Sequence, residues 1–185
     1  MLKHFQVPEE ESVRVDADKL RTTVQQLFRK VGLNDEDAVL GADVLLYSDL
    51  RGNDTHGVSN MLRSYLRGYN EGTTNTTPVW KVVHETASTA VVDGDGGLGN
   101  IIAPKVMQYA IEKAAKSGSC GIVIKNSGHA GAVGYHALLA AKSGMLGMAM
   151  TAGGNAMLPT FGAEPRLGTN PIAFASPAKT EPAFV

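Results

Sequence analysis

A single cysteine, Cys120, stands among 185 residues. It cannot form a disulfide within the chain, which argues against a stapled secreted scaffold and for a reducing, cytoplasmic setting. Neither sign of charge is in excess, because 17 basic side chains meet 18 acidic ones and leave a formal net charge of -1. A nucleic-acid-binding domain carries a basic surplus, so that class of partner is disfavoured. No apolar run approaches the ~20 residues that span a bilayer, so no membrane partner is expected. The opening MLKHFQVPEEES lacks the apolar stretch of a signal peptide and carries Glu9, Glu10 and Glu11. Metal-ligand patterns are missing too: there is no H-E-x-x-H, no C-x-x-C and no carboxylate cluster. Hydrophobic residues at 43% and charged ones at 19% suit a folded core and exclude disorder for most of the chain. What is plentiful is glycine, with 21 residues falling between periodic segments.

The first half reads as helical. Leu20, Val24, Leu27, Phe28 and Val31 recur at helical spacing, with Asp16 or Asp18 as N-cap and Gly32 as the stop. Asn34 caps a second helix running to about Leu50, with Asp35, Glu36 and Asp37 favourable at its positive end. A third begins near Val58, buries Met61, Leu62, Tyr65, Leu66 and Tyr69, and ends before the turn-rich stretch from Gly72 to Pro78. Residues 1–77 are thus expected to form a helical unit.

After Pro78 the period changes. Val79 to His84 and Ser88 to Asp93 read as a hairpin of two β-branched runs. Helices over Gly99–Ser117 and Ala132–Ser143 alternate with strands over Gly121–Lys125, Met145–Thr151 and Ile172–Ser176. The loop from Ala152 to Pro171 is long enough to suggest a function. Phe184 and Val185 read as the start of a further extended run, so the chain is expected to be incomplete at this end. Residues 78–185 are expected to form the domain that carries the cofactor and substrate sites.

Three segments carry candidate chemistry. Gly94-Asp95-Gly96-Gly97-Leu98-Gly99 satisfies the spacing of a dinucleotide fingerprint, yet Lys125 and Asn126 stand where ribose recognition needs an acid. A hairpin before it also argues against a parallel sheet, and a tight strand-to-helix turn explains the glycines equally well. Arg51-Gly52-Asn53-Asp54-Thr55-His56-Gly57 lies between two helices. A helix cap accounts for Asp54 or Thr55 but leaves His56 and Arg51 unused, and an imidazole beside a hydroxyl suits proton transfer near neutral pH. Asn126-Ser127-Gly128-His129-Ala130-Gly131 follows a strand and precedes a helix, a favoured place for binding groups. The alternative is a capping loop with an exposed histidine. His136 and His84 read as structural or solvated, and His4 lies in the chain start.

Taken in order, Ser48-Asp49-Leu50-Arg51-Gly52-Asn53-Asp54-Thr55-His56-Gly57-Val58, Gly94 to Gly99, Asn126-Ser127-Gly128-His129 and Leu167-Gly168-Thr169-Asn170-Pro171-Ile172-Ala173 resemble the type-2 malate/L-lactate dehydrogenase family, over about Val15 to Val185. The resemblance implies an α+β fold, with the helical unit followed by a mixed-sheet α/β sandwich unrelated to the Rossmann domain. It also implies NAD or NADP as cofactor, a small 2-hydroxy acid as substrate and a homodimer. It makes His56 or His129 the acid/base, with Thr55 in the place of an orienting serine. Ala130, Gly131, Ala132 and Val133, with Thr151 and Gly153, match cofactor positions, as does His129 beside the nicotinamide. Thr169 and Asn170 match the substrate side.

The sequence departs from the family's pattern in three places. Asn60 stands where the family often has a carboxylate-clamping Arg, leaving Arg51 or Arg63 as substitutes. Ala130 replaces a common aromatic residue, and family members are markedly longer. A second expectation is therefore a non-catalytic fragment with an exposed strand edge and apolar surface. A third is a Rossmann-type module centred on Gly94 to Gly99.

Overall fold

The computed structural model describes residues 9–185, so His4 lies outside the described residues. Asp16 opens the first helix, α1 (Ala17–Lys30), by accepting from the backbone N–H of Lys19 at 2.9 Å. Of the two candidate caps it is the one used. Asn34 opens α2 (Asp35–Asp49), its Oδ1 accepting from the N–H of Asp37 at 2.9 Å. The third helix forms in stages: a 3-10 turn at Asp54–His56, a π turn at Val58–Leu62, and then α3 (Arg63–Asn70). Sequence periodicity does not report a π turn, because the wide turn adds one residue without changing the apolar character of its neighbours. Val24, Phe28, Ala42, Leu45, Leu62, Tyr65 and Tyr69 share one core with Leu98 and Ile101 from the second half. Each of the larger apolar side chains among them contributes about 1.5–3 kcal/mol of transfer free energy, so the helices are held against the residues that follow them.

Strands β1 (Lys81–Glu85) and β2 (Thr89–Gly97) form the expected hairpin, and β2 also pairs in parallel with β3 (Gly121–Ser127) in the order β1-β2-β3. This corrects the argument that a hairpin precludes a parallel sheet. A hairpin uses one edge of β2 and leaves the other free. The helix between them, α4 (Gly99–Ser117), makes the crossover and packs Ile102 and Val106 on Val92. The glycines of residues 94–97 are a second correction, since they belong to β2 itself, where the pairing with β3 shifts register between Asp93 and Gly97. They form an irregular strand end instead of a turn after the strand.

The last helix, α5 (Val133–Lys142), lies on a separate antiparallel pair, β4 (Gly147–Met150) and β5 (Ile172–Ala175). Strand β4 starts later than the apolar run suggests because the Met145 N–H still bonds to the Ala140 carbonyl at the helix end. One face of the pair presents Ala149, Ala173 and Ala175 to Ala137, Leu138 and Ala141 of α5. The other leaves Met148, Met150, Ile172 and Phe174 exposed. Phe184 is extended, exchanging two backbone hydrogen bonds of 3.0 Å with Ser176. The architecture is α+β, with helices first and a mixed sheet after them. Among the described residues no helix is long and apolar enough to cross a membrane.

Candidate active site

The chain leaves α2 by a tight reversal, and Asp49 at the end of that helix caps the element after it. Its Oδ2 accepts from the Val58 N–H at 3.0 Å, so neither Asp54 nor Thr55 serves as the helix cap. Burial pushes the Asp49 carboxyl up, with the Val58 N–H opposing and the charge of Asp54 adding to the rise. Thr55 is thereby free for the neighbouring histidine. Its Oγ1 lies 2.8 Å from His56 Nδ1 and 3.0 Å from Asn53 Oδ1. Asn53 Oδ1 only accepts, so it takes the hydroxyl proton. Thr55 then accepts from Nδ1–H of neutral His56, whose Nε2 is left bare. Asn60 Nδ2 donates to the Thr55 carbonyl at 2.7 Å and braces this turn from the next element.

The second histidine comes from the loop after β3. Three hydrogen bonds pin that loop: Gly128 N–H to the Gly97 carbonyl at 2.8 Å, Asn100 N–H to the His129 carbonyl at 2.9 Å, and His136 Nε2 to the Ala130 carbonyl at 2.7 Å. His136 is therefore structural, and its burial lowers its pKa so that the neutral ring donates through Nε2. His84 is exposed on β1. The loop lays His129 on His56, with ring centroids 5.5 Å apart and planes 20° from parallel. Tyr65 closes the other side, its hydroxyl 2.7 Å from His129 Nδ1. Partial withdrawal of the His129 ring from water, and then the charge His56 would carry, hold its pKa below the ordinary imidazole value. A charge on one of two stacked imidazoles disfavours a charge on the other.

The same packing crowds a pyrophosphate out of the glycine motif. A Cβ on residue 99 would stand 2.9 Å from the His129 carbonyl oxygen, and the Asn100 N–H, in the first turn of α4, bonds to that carbonyl. The loop of residues 128–129 thus lies against the start of the helix, where a Rossmann fold keeps the space open for phosphate.

A cavity of about 260 Å³ opens beside His56, walled by Arg51, Tyr47, Asn53, Pro171 and the Gly131–Gly134 segment. The Arg51 guanidinium lies 4.5 Å from the Tyr47 ring centroid, which fixes a cation at the cavity wall. Arg63 lines a different groove with Ser59 and Arg67, and Asn60 is engaged on Thr55. Gly131, Ala132 and Val133 therefore line the cavity, while Ala130 anchors the loop through its carbonyl. Asn170 Oδ1 accepts from the Gly153 N–H at 2.9 Å and the Thr151 N–H bonds to the Pro171 carbonyl at 3.3 Å. Thr169 sits against Gly153 in the same paired loops, which adjoin the cavity through Pro171. Among the described residues no group of three or more His, Cys, Asp or Glu side chains is placed to hold a metal. Asp49, Asn53 and Tyr65 are site residues that sequence reasoning missed. Tyr65 looked like core because its helical spacing is that of the apolar face, and nothing in the sequence reports a partner 64 positions away.

Comparison with known proteins identifies the relatives of this chain. The malate/L-lactate dehydrogenase family matches residues 15–185. The malate dehydrogenase of Pyrococcus abyssi is 43% identical over 174 residues, which is 94% of this chain and 48% of that protein. The L-sulfolactate dehydrogenase of Methanocaldococcus jannaschii is 40% identical over 149 residues, 80% of this chain and 43% of its own length. The solved malate dehydrogenase of Pyrococcus horikoshii superposes with a TM-score of 0.91 at 40% identity, over 97% of this chain and 51% of that one. The chain spans about half the length of these relatives. With four ordered motifs and a family match over nearly the whole sequence, the chain belongs to the malate/L-lactate dehydrogenase family.

Proposed function

We propose that this site belongs to an oxidoreductase that moves a hydride between NAD or NADP and a small 2-hydroxy acid of the malate, lactate or ureidoglycolate type. The observation that carries the reading is His56, held by Thr55 and Asn53 with Nε2 bare, on the wall of a cavity that also presents Arg51. A nicotinamide, when bound, supplies the hydride acceptor. The cavity suits such a ring in part: Gly131, Ala132, Val133 and Gly134 make a small, mainly apolar wall. Its volume of about 260 Å³ takes a ring and a small acid and not a whole dinucleotide.

The residues divide the work. His56 Nε2 takes the substrate's hydroxyl proton as the carbon gives up its hydride, and returns it in the reverse direction. Thr55 accepts from Nδ1–H throughout and so stabilises the imidazolium that forms. His129, stacked on His56 and exposed at its outer edge, touches the nicotinamide side of the site. Arg51 pairs with the substrate carboxylate. Thr169 and Asn170 border the substrate side, and Thr151 and Gly153 border the cofactor. The domain division at residues 77 and 78 and assembly as a cytoplasmic homodimer belong to the same reading, with sedimentation analysis as the check on the dimer.

The test is a fluorescence titration of the 185-residue chain with NADH and NADPH, paired with assays on malate, lactate and ureidoglycolate. Binding with turnover that is lost in His56→Asn supports the reading. A folded chain that binds neither nucleotide would favour the second one, a non-catalytic fragment, for which the exposed Met148, Met150, Ile172 and Phe174 face is the specific observation.

A further inference from the structure

We propose that Tyr65 is a positioning residue for His129: its hydroxyl, together with the Gly131 N–H, fixes the ring as the Nε2–H tautomer, opposite to that of the stacked His56. The value of this to catalysis rests on the function proposed above, but the tautomer itself does not.

The argument begins with a donor that cannot reverse. The Gly131 N–H points at His129 Nδ1 from 3.3 Å, and a backbone N–H only donates. Nδ1 must then carry its lone pair. The Tyr65 hydroxyl meets the same nitrogen at 2.7 Å and has one proton to give. Burial raises its pKa above the ordinary phenol value, so it remains a phenol and a donor throughout the working range. Two donors on Nδ1 send the proton of neutral His129 to Nε2. Across the stack the order is inverted, because Thr55 accepts from His56 Nδ1 and leaves Nε2 bare. Among the described residues neither Nε2 has a hydrogen-bond partner, so the pair offers a substrate oxygen one acceptor and one donor.

Tyr65 is placed for this by the turn before it. The π turn Val58–Leu62 inserts about one residue, or ~100° of helical rotation, between His56 and α3. Tyr65 is only 4% exposed, with its ring centroid 6.0 Å from that of His129. The hydroxyl thus reaches the loop from within the core, where phenylalanine would fill the same volume. Protonating His129 requires a proton on Nδ1, facing Gly131. The Tyr65 bond therefore disfavours the imidazolium, in the same direction as the partial burial of the ring and the charge of His56.

Long-range nitrogen–proton NMR of the 15N-labelled 185-residue chain reads both tautomers directly, with His129→Gln assigning the signals. The expected wild-type result is a bare Nδ1 and a protonated Nε2 on His129. In Tyr65→Phe the expected result is a mixture of tautomers and a titration midpoint raised by about one pH unit, a tenfold change in the protonation equilibrium. The His136 signals, which report the fold of the same loop, stay in place. An Nδ1–H tautomer in the wild type, or an unmoved midpoint and tautomer in Tyr65→Phe, overturns the proposal. Should Tyr65→Phe fail to fold, 3-fluorotyrosine in the wild-type chain replaces it: the stronger donor lowers the His129 midpoint, and an unchanged midpoint overturns the proposal. Expected tautomers without turnover sink the proposed function and leave this inference standing, whereas turnover with the wrong tautomer sinks this inference alone.

Discussion

Gly57 and Asp49 occupy each other's space: a Cβ on residue 57 would overlap the Asp49 carboxylate that caps the π turn. The backbone of Gly57 is extended, at φ -88° and ψ -173°, so the requirement is room and not an unusual dihedral angle. Gly57→Ala must push the carboxylate off the Val58 N–H. Overpacking of this kind costs about 1–3 kcal/mol, and a lost cap about 1 kcal/mol. Asp49→Ala removes the cap and also clears the space. The double variant is therefore expected to be less destabilised than the sum of the two single variants. Urea melts of all three check this, and strict additivity would mean that the two residues do not compete.

The divided legibility of the site has the same origin. Asp16 and Asn34 could be read from the sequence because a cap and its N–H lie three residues apart. Asp49 could not, since its N–H partner lies nine residues on, across a reversal whose geometry no periodicity reports. His56 and His129 were visible as chemistry, but their stacking is set by the parallel register of β2 and β3 and by the loop that Asn100 and His136 pin. The parallel pairing was hidden because the hairpin partner of β2 is local while β3 is separated from it by α4. The glycine motif lacks the acid of a dinucleotide site in the sequence itself, and the structure supplies the packing reason. The motif's spacing is that of a phosphate loop, yet its last glycine admits backbone carbonyls to the helix end.

Thr55 holds the tautomer of His56 through one hydroxyl. Thr55→Val keeps the shape and removes that oxygen, leaving Nδ1–H unpaired and the ring free to turn. Turnover is expected to fall roughly tenfold to a hundredfold, less than the whole ~10²–10⁴ that a positioned acid/base supplies, because the imidazole itself remains. Thr55→Ser, which keeps the hydroxyl, should retain most of the rate. Steady-state kinetics of both variants in the active protein separate the hydroxyl from the methyl, and equal losses would remove Thr55 from the relay.

Arg51 lines the same cavity as His56, with its guanidinium over the Tyr47 ring. Charge-assisted hydrogen bonds contribute about 1.5–3 kcal/mol, so Arg51→Gln should raise KM for a carboxylate substrate about ten- to a hundredfold while kcat changes less. Arg51→Lys should fall between, because an ammonium keeps the charge but neither the fork nor the stacking. A KM unaffected by Arg51→Gln would move carboxylate recognition to another group.

Asp93 supports the second histidine from a distance. Its Oδ1 accepts from the Asp95 N–H and from Asn126 Nδ2, each at 3.0 Å, and Lys125 stands 3.3 Å from Oδ2. The Asp95 N–H above all, then Asn126 and Lys125, lower its pKa to about 2 from the ordinary 3.8. A carboxyl depressed on folding stabilises the native state above its unfolded value and loses that contribution as pH falls through the folded one. The chain should therefore lose stability between about pH 4 and pH 2, and Asp93→Asn should flatten this limb while lowering stability at pH 7. Because Asn126 lies at the end of β3, just before the loop that carries His129, the same variant should broaden the His129 resonances. Denaturant melts at several pH values check the first expectation, and an unchanged acid limb would refute it.

The two outer roles of the glycine motif come apart at residues 96 and 99. Gly96 has φ +67° and open surroundings, its nearest neighbour being Asn75 Cβ at 3.8 Å. An alanine there is strained in backbone alone, at a cost of about 1 kcal/mol. Gly99 has the backbone of residues 128–129 against it, and backbone cannot swing aside as a flexible side chain can. Gly99→Ala must therefore displace the loop that lays His129 on His56, whereas Gly96→Ala leaves that stack alone. If the motif were a pyrophosphate cradle, both variants would abolish nucleotide binding. If it is a packing device, Gly96→Ala keeps its nucleotide affinity, measured by NADH fluorescence, and loses only a few degrees in Tm. Gly99→Ala then loses the histidine stack, read from the His56 and His129 chemical shifts, before any ligand is added.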